Sequence, residues 1–199
     1  MKTTRAVGLL ALYMLSLSTA CLPPPEPPGA ADPPGMRAVQ VRGVKLEGQR
    51  AALAAACVKR GLEQCFNATD DDCNGLVDEG CGIPDGDLAL IAAWDDNPAN
   101  LDWTLFMPNG KRLDKAHKQQ GAFRYVKDCP EGCQGQNVEA IVADGALEPG
   151  SYRAELRLKS ANGEVPVRVR VAARFGTRVE QGEAELTLDR DVVILTFQL

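Results

Sequence analysis

From Asp87 to the C-terminus, apolar residues recur with a period of two. Val167, Val169 and Val171 alternate with Arg168 and Arg170, and Leu101, Trp103 and Leu105 mark one side of the stretch LDWTLFM. Such alternation puts one face of a strand on a core and the other in water. Strands are expected over 87–94, 101–107, 122–126, 137–143, 151–159, 165–174, 183–188 and 192–199. Pro108-Asn109-Gly110, Glu148-Pro149-Gly150 and Ala161-Asn162-Gly163 supply turns. Short strands in this number, with no helical crossover between them, predict a mainly β fold. The expectation is a C-terminal antiparallel β-sandwich of Ig-like or jelly-roll type over 86–199.

Before that region the pattern changes. Val39, Val41 and Val44 alternate as in a strand, interrupted by Gly43. Gln49–Arg60 is rich in Ala and free of Gly and Pro, which predicts a short helix with Leu53 and Cys57 on one face and Gly61 as its stop. Residues 36–85 are thus expected to hold a short helix and then a small Cys-rich acidic module. Residues 21–35 are a Pro-rich stretch short of apolar side chains. Such a stretch favours extended polyproline II and cannot bury a core.

Residues 1–20 have the organisation of an export signal: Lys2 and Arg5, then an apolar run from Val7 to Leu17, then Ser18-Thr19-Ala20. The run is about half of the roughly 20 apolar residues a spanning helix needs. Leu17-Ser18-Thr19-Ala20-Cys21 resembles the lipobox of bacterial lipoproteins, which implies that Cys21 is acylated and becomes the first residue. Leu22 after it implies outer-membrane sorting. Acyl chains contribute about 0.8 kcal/mol per buried CH₂, so two or more make a stable anchor.

The net charge is −5, and removal of residues 1–20 takes away two cations and no acid, leaving −7. No basic patch interleaved with aromatics appears, so nucleic acid is not an expected partner. Charge is also uneven. Eleven acids and no Lys or Arg lie between Gly61 and Gly110.

Cys57, Cys65, Cys73 and Cys81 fall at intervals of eight and frame the densest part of that acidic block. An exported chain keeps such cysteines as disulfides, with three pairings open to four of them. Zinc is the rival reading, but structural zinc ligands sit two to four residues apart. Cys129 and Cys133 are expected to form a further disulfide across their short loop.

Inside the frame, Asp70-x-Asp72-x-Asn74-Gly75 matches the first half of a calcium loop, with the Leu76 carbonyl and Asp78 at its next positions. Cys81 stands where the closing bidentate Glu belongs, so Glu79 is the expected closing ligand. Two carboxylates about 5 Å apart repel by roughly 3 kcal/mol at an effective dielectric of 20, which a hard divalent ion would relieve. Asp70, Asp72, Asn74, Leu76, Asp78 and Glu79 are therefore the candidate ligands for structural Ca²⁺.

Cys65–Cys81 also resembles the metal-binding motif of MopE-type bacterial proteins through Asp70-Asp71-Asp72-Cys73, Gly75 and Asp78-Glu79-Gly80-Cys81. From Leu88 to about Leu188 the chain resembles the YfaP-like β-sandwich domain of secreted bacterial proteins. Trp94-Asp95, Leu101-Asp102, Pro108-Asn109-Gly110 and Pro149-Gly150-Ser151-Tyr152 carry that likeness. This resemblance implies a sandwich and leaves Asp95, Asp96 and Asp102 as carboxylates for an ion.

The only His is His117, in a basic turn, so a Ser/His/Asp centre has no natural base. The expectation is a lipid-anchored cell-envelope protein without catalytic activity, binding an unknown protein or glycan and stiffened by Ca²⁺. A periplasmic metal-handling protein is the alternative, and a carboxylate-dependent hydrolase the lesser one.

Overall fold

A computed structural model describes residues 36–95, 98–130, 133–162 and 165–199. The export signal, Cys21, the Pro-rich stretch, Asp96 and Gly163 lie outside them. The described residues all belong to one compact unit.

Among the described residues, twelve strands build two sheets. The first sheet runs β1 (Arg42–Glu47), β12 (Val192–Gln198), β9 (Ser151–Ala161), β4 (Ala99–Phe106), β5 (Arg112–Leu113). The second runs β2 (Gln49–Leu53), β11 (Arg178–Leu186), β10 (Val167–Phe175), β3 (Leu88–Trp94), β8 (Val138–Ala143), β7 (Phe123–Lys127), β6 (Gln119–Gln120). The pairings are antiparallel. The sandwich and its alternation are as the sequence predicts. In β10, Val167, Val169 and Val171 enter the inter-sheet core with Leu101, Trp103, Leu105, Tyr152 and Phe197.

The predicted helix is absent. Gln49–Leu53 is a strand on the edge of the second sheet, with Leu53 opposite Gly182 and Ala52 opposite Glu183 on β11. Ala favours a helix locally, but a helix of about a dozen residues is marginal in water. The free edge of β11 offers a ladder instead. Gly182 is needed there, since an added Cβ would lie 2.4 Å from the Ala52 carbonyl oxygen. Residues 42–53 thus complete both sheets rather than standing apart with the Cys-rich module.

β3 and β8 are buried along their whole length on both faces. Their inward residues meet the opposite sheet. Ala89, Ile91 and Ala93 of β3 and Val138, Ala140 and Val142 of β8 face outward, and Ala68, Val77 and Ile83 of the acidic loop cover them. This explains why Leu88–Trp94 reads as an apolar run without alternation.

Candidate functional site

The loop from Ala54 to Gly86 has too few apolar residues to fold on a core of its own. Two crossed disulfides, Cys57–Cys73 and Cys65–Cys81, staple it, each closing a separation of 16 residues. Contacts with the second sheet fix its position. Ala54 N–H donates to the Gln181 carbonyl at 2.7 Å, Asp70 N–H to Gln181 Oε1 at 3.2 Å, and Arg170 Nε to the Asn67 carbonyl at 2.8 Å. Gly75, at φ +86°, comes so close to the β10–β11 turn that a Cβ would lie 2.6 Å from the Thr177 carbonyl oxygen.

The carboxylates fall into two groups, and backbone amides reach both: Asp72, in the second, accepts from Asn74 N at 3.1 Å. The first group is Asp70, Asp71 and Asp78. Asp70 accepts from Asn74 N at 3.0 Å and Gly75 N at 2.9 Å; Asp78 accepts from Asn67 N at 3.0 Å and Ala68 N at 3.1 Å. Asp71 accepts from Gln64 N at 3.1 Å and Asn67 Nδ2 at 2.8 Å. These charge-assisted bonds stabilise the crowded acids without a cation, a role the sequence reading gave entirely to the ion. Burial still pushes the Asp70 and Asp78 carboxyls above their ordinary range, against those amide bonds.

The second set is Glu63, Asp72 and Glu79, each offering an oxygen within 4.8 Å of the others. Glu63 is not among the sequence candidates. It precedes Cys65 by two residues and belongs to no loop motif, so only its place in the acidic block marked it. Its oxygens accept from Asp71 N at 3.0 Å and Asp78 N at 2.7 Å, which tie the two halves of the loop together. Burial, with Glu79 and Asp71 nearby, raises its pKa to about 7. Asn74 sits beside this set, donating from Nδ2 to Glu79 Oε1 at 2.6 Å and accepting from Leu76 N at 2.8 Å. Two enclosed oxygens, Glu79 Oε2 and Asp71 Oδ1, have no hydrogen-bond partner among the described residues. Of the six sequence candidates, then, Asp72 and Glu79 converge, Asn74 adjoins them, and Asp70 and Asp78 shape the loop. Leu76 contributes its N–H to the Asn74 side chain.

A separate acidic group lies in the sandwich, where Asp102 (β4), Asp128 and Glu139 (β8) also approach within 4.8 Å. A lysine supplies the cation there: Lys115 Nζ is 2.8 Å from Asp102 Oδ2. Glu139, fully buried, accepts from the Tyr125 hydroxyl and from Cys129 N at 2.7 Å, and burial raises its pKa to about 8. Cys129 pairs with Cys133 as expected. Asp95, grouped with Asp102 by the resemblance, instead meets Arg170 at 3.1 Å. His117 is exposed, with Nδ1 3.0 Å from Asp114 Oδ1.

Compared with family models, curated proteins and solved structures, the chain matches none.

Proposed function

We propose that this is an exported, lipid-anchored envelope protein with a non-catalytic structural or binding role, in which Ca²⁺ held by the acidic loop stiffens one face of the sandwich. The observation that carries the reading is the convergence of Glu63, Asp72 and Glu79, with a partnerless Glu79 Oε2, in a loop that covers β3 and β8. A partnerless enclosed carboxylate oxygen is costly, and a hard cation is the group that satisfies it. The donors are oxygens throughout, with no His, Met or free thiol, which favours Ca²⁺ over softer metals and over the metal-handling alternative. Asn74 Oδ1 and the Leu76 carbonyl complete the proposed ligand set, with Asp70 and Asp78 as supports that hold the loop in shape.

Membrane attachment through Cys21 rests on the sequence signal alone, and mass spectrometry of the envelope-extracted protein would show the acyl chains. The metal reading is tested by melting the oxidised chain in millimolar Ca²⁺ and in chelator. Ca²⁺ should raise Tm by several degrees, since a ligand at about 100 times its Kd adds about 2.7 kcal/mol. Glu79→Gln and Glu63→Gln should each remove most of that shift. Native mass spectrometry that shows Zn²⁺ or Cu²⁺ retained in preference to Ca²⁺, or identical melts in both buffers, would refute it.

A further inference from the structure

Nine consecutive residues, Ala54 to Leu62, are exposed. Five in a row, Ala54-Ala55-Ala56-Cys57-Val58, are apolar, and Val58 and Leu62 retain 65% and 88% of their accessible surface. A single exposed Leu means little, but an uninterrupted exposed apolar run is retained in a folded protein only when something covers it. Lys59 and Arg60 lie between Val58 and Leu62, and neither has an ion pair among the described residues. No acid interrupts the strip, although it borders the most acidic part of the chain.

We infer that the strip Ala54–Leu62 is a docking surface for an anionic lipid interface. Two features favour lipid over a protein partner. Aliphatic side chains beside unpaired cations complement a bilayer surface, where the aliphatic groups reach the acyl boundary and the cations meet phosphates. Protein interfaces draw instead on Trp, Tyr, Phe, Met and Arg and are poor in Ala and Lys; the strip has Arg60 alone of the first group, against Ala54, Ala55, Ala56 and Lys59 of the second. The strip is also held ready. Cys57–Cys73 anchors it from within, Arg60 N–H donates to the Asp71 carbonyl at 2.7 Å, and Ala54 is fixed to Gln181. Little ordering remains to be done on contact, so modest apolar area suffices. The surface is distinct from the acyl anchor proposed at Cys21. It would lay this face of the loop against a membrane rather than leave the folded unit at the end of its tether.

The test uses the oxidised chain from Ala31 onward, which keeps the compact unit of the described residues with both sheets and the disulfides Cys57–Cys73, Cys65–Cys81 and Cys129–Cys133, and lacks the export signal and Cys21. It is floated with mixed phosphatidylserine–phosphatidylcholine vesicles and with pure phosphatidylcholine vesicles. The wild type should float with the mixed vesicles. Leu62→Asp and Val58→Asp should each lower partitioning about tenfold, the loss expected from a buried aliphatic side chain. Lys59→Ala with Arg60→Ala should abolish the preference for the anionic vesicles. All these positions are exposed, so an unchanged melting curve will show that the variants fold. A wild type that floats with neither vesicle overturns the assignment and leaves the strip to a protein partner. So does a Leu62→Asp chain that floats as well as wild type.

Discussion

Glu139 shows what one buried acid does to the whole chain. Its ordinary pKa is 4.5, and burial raises it to about 8. Between those values the folded protein holds a proton that the unfolded chain releases, so stability falls as pH rises through that window and levels off above it. Glu139→Gln mimics the neutral acid: its carbonyl can take the Cys129 N–H and its amide can donate to the Tyr125 oxygen. Urea titrations from pH 5 to pH 9 should show a shallower pH dependence for the variant, with the gain over wild type largest at the alkaline end. A variant as pH-sensitive as wild type would remove Glu139 as the cause. Gly75→Ala is a second single-residue test. The site has φ +86° and no room before the Thr177 carbonyl, so the substitution should cost about 1–3 kcal/mol and loosen the loop from the β10–β11 turn.

Among the elements, the acidic loop and strands β3 and β8 depend on one another. The loop has no core of its own, and the strands carry an outward apolar face that the loop covers. Loss of one crossed disulfide through Cys57→Ser with Cys73→Ser should destabilise by about 3 kcal/mol, the value for a closed loop of this length. It should also uncover the outer face of β3 and β8, read as binding of a hydrophobic dye before global unfolding. Dye binding that begins only with global unfolding would show that Cys65–Cys81 alone seats the loop. The strands were legible in the sequence because alternation reports one wet and one dry face. The helix over Gln49–Arg60 was misread for the converse reason: Ala propensity is local, whereas the vacant edge of β11 beside Gly182 is not visible from residues 49–60.

For the molecule as a whole, the pattern of apolar positions determined that two antiparallel sheets would form, because a period of two leaves a strand one buried face to share. The export-signal pattern of residues 1–20 likewise made disulfides the expected state of the six cysteines from Cys57 to Cys133. Which cysteines join, Cys57 to Cys73 and Cys65 to Cys81, followed only from how the loop winds over the second sheet. The same winding split the acids that the sequence had grouped into one loop. Asp70 and Asp78 turned to backbone amides, and Asp72 and Glu79 met Glu63 from outside the motif. Spacing along a chain fixes which groups are near in sequence. The direction of each carboxylate in a loop without regular structure depends on the surface beneath it, and here that surface is the outer face of β3, β8 and β10.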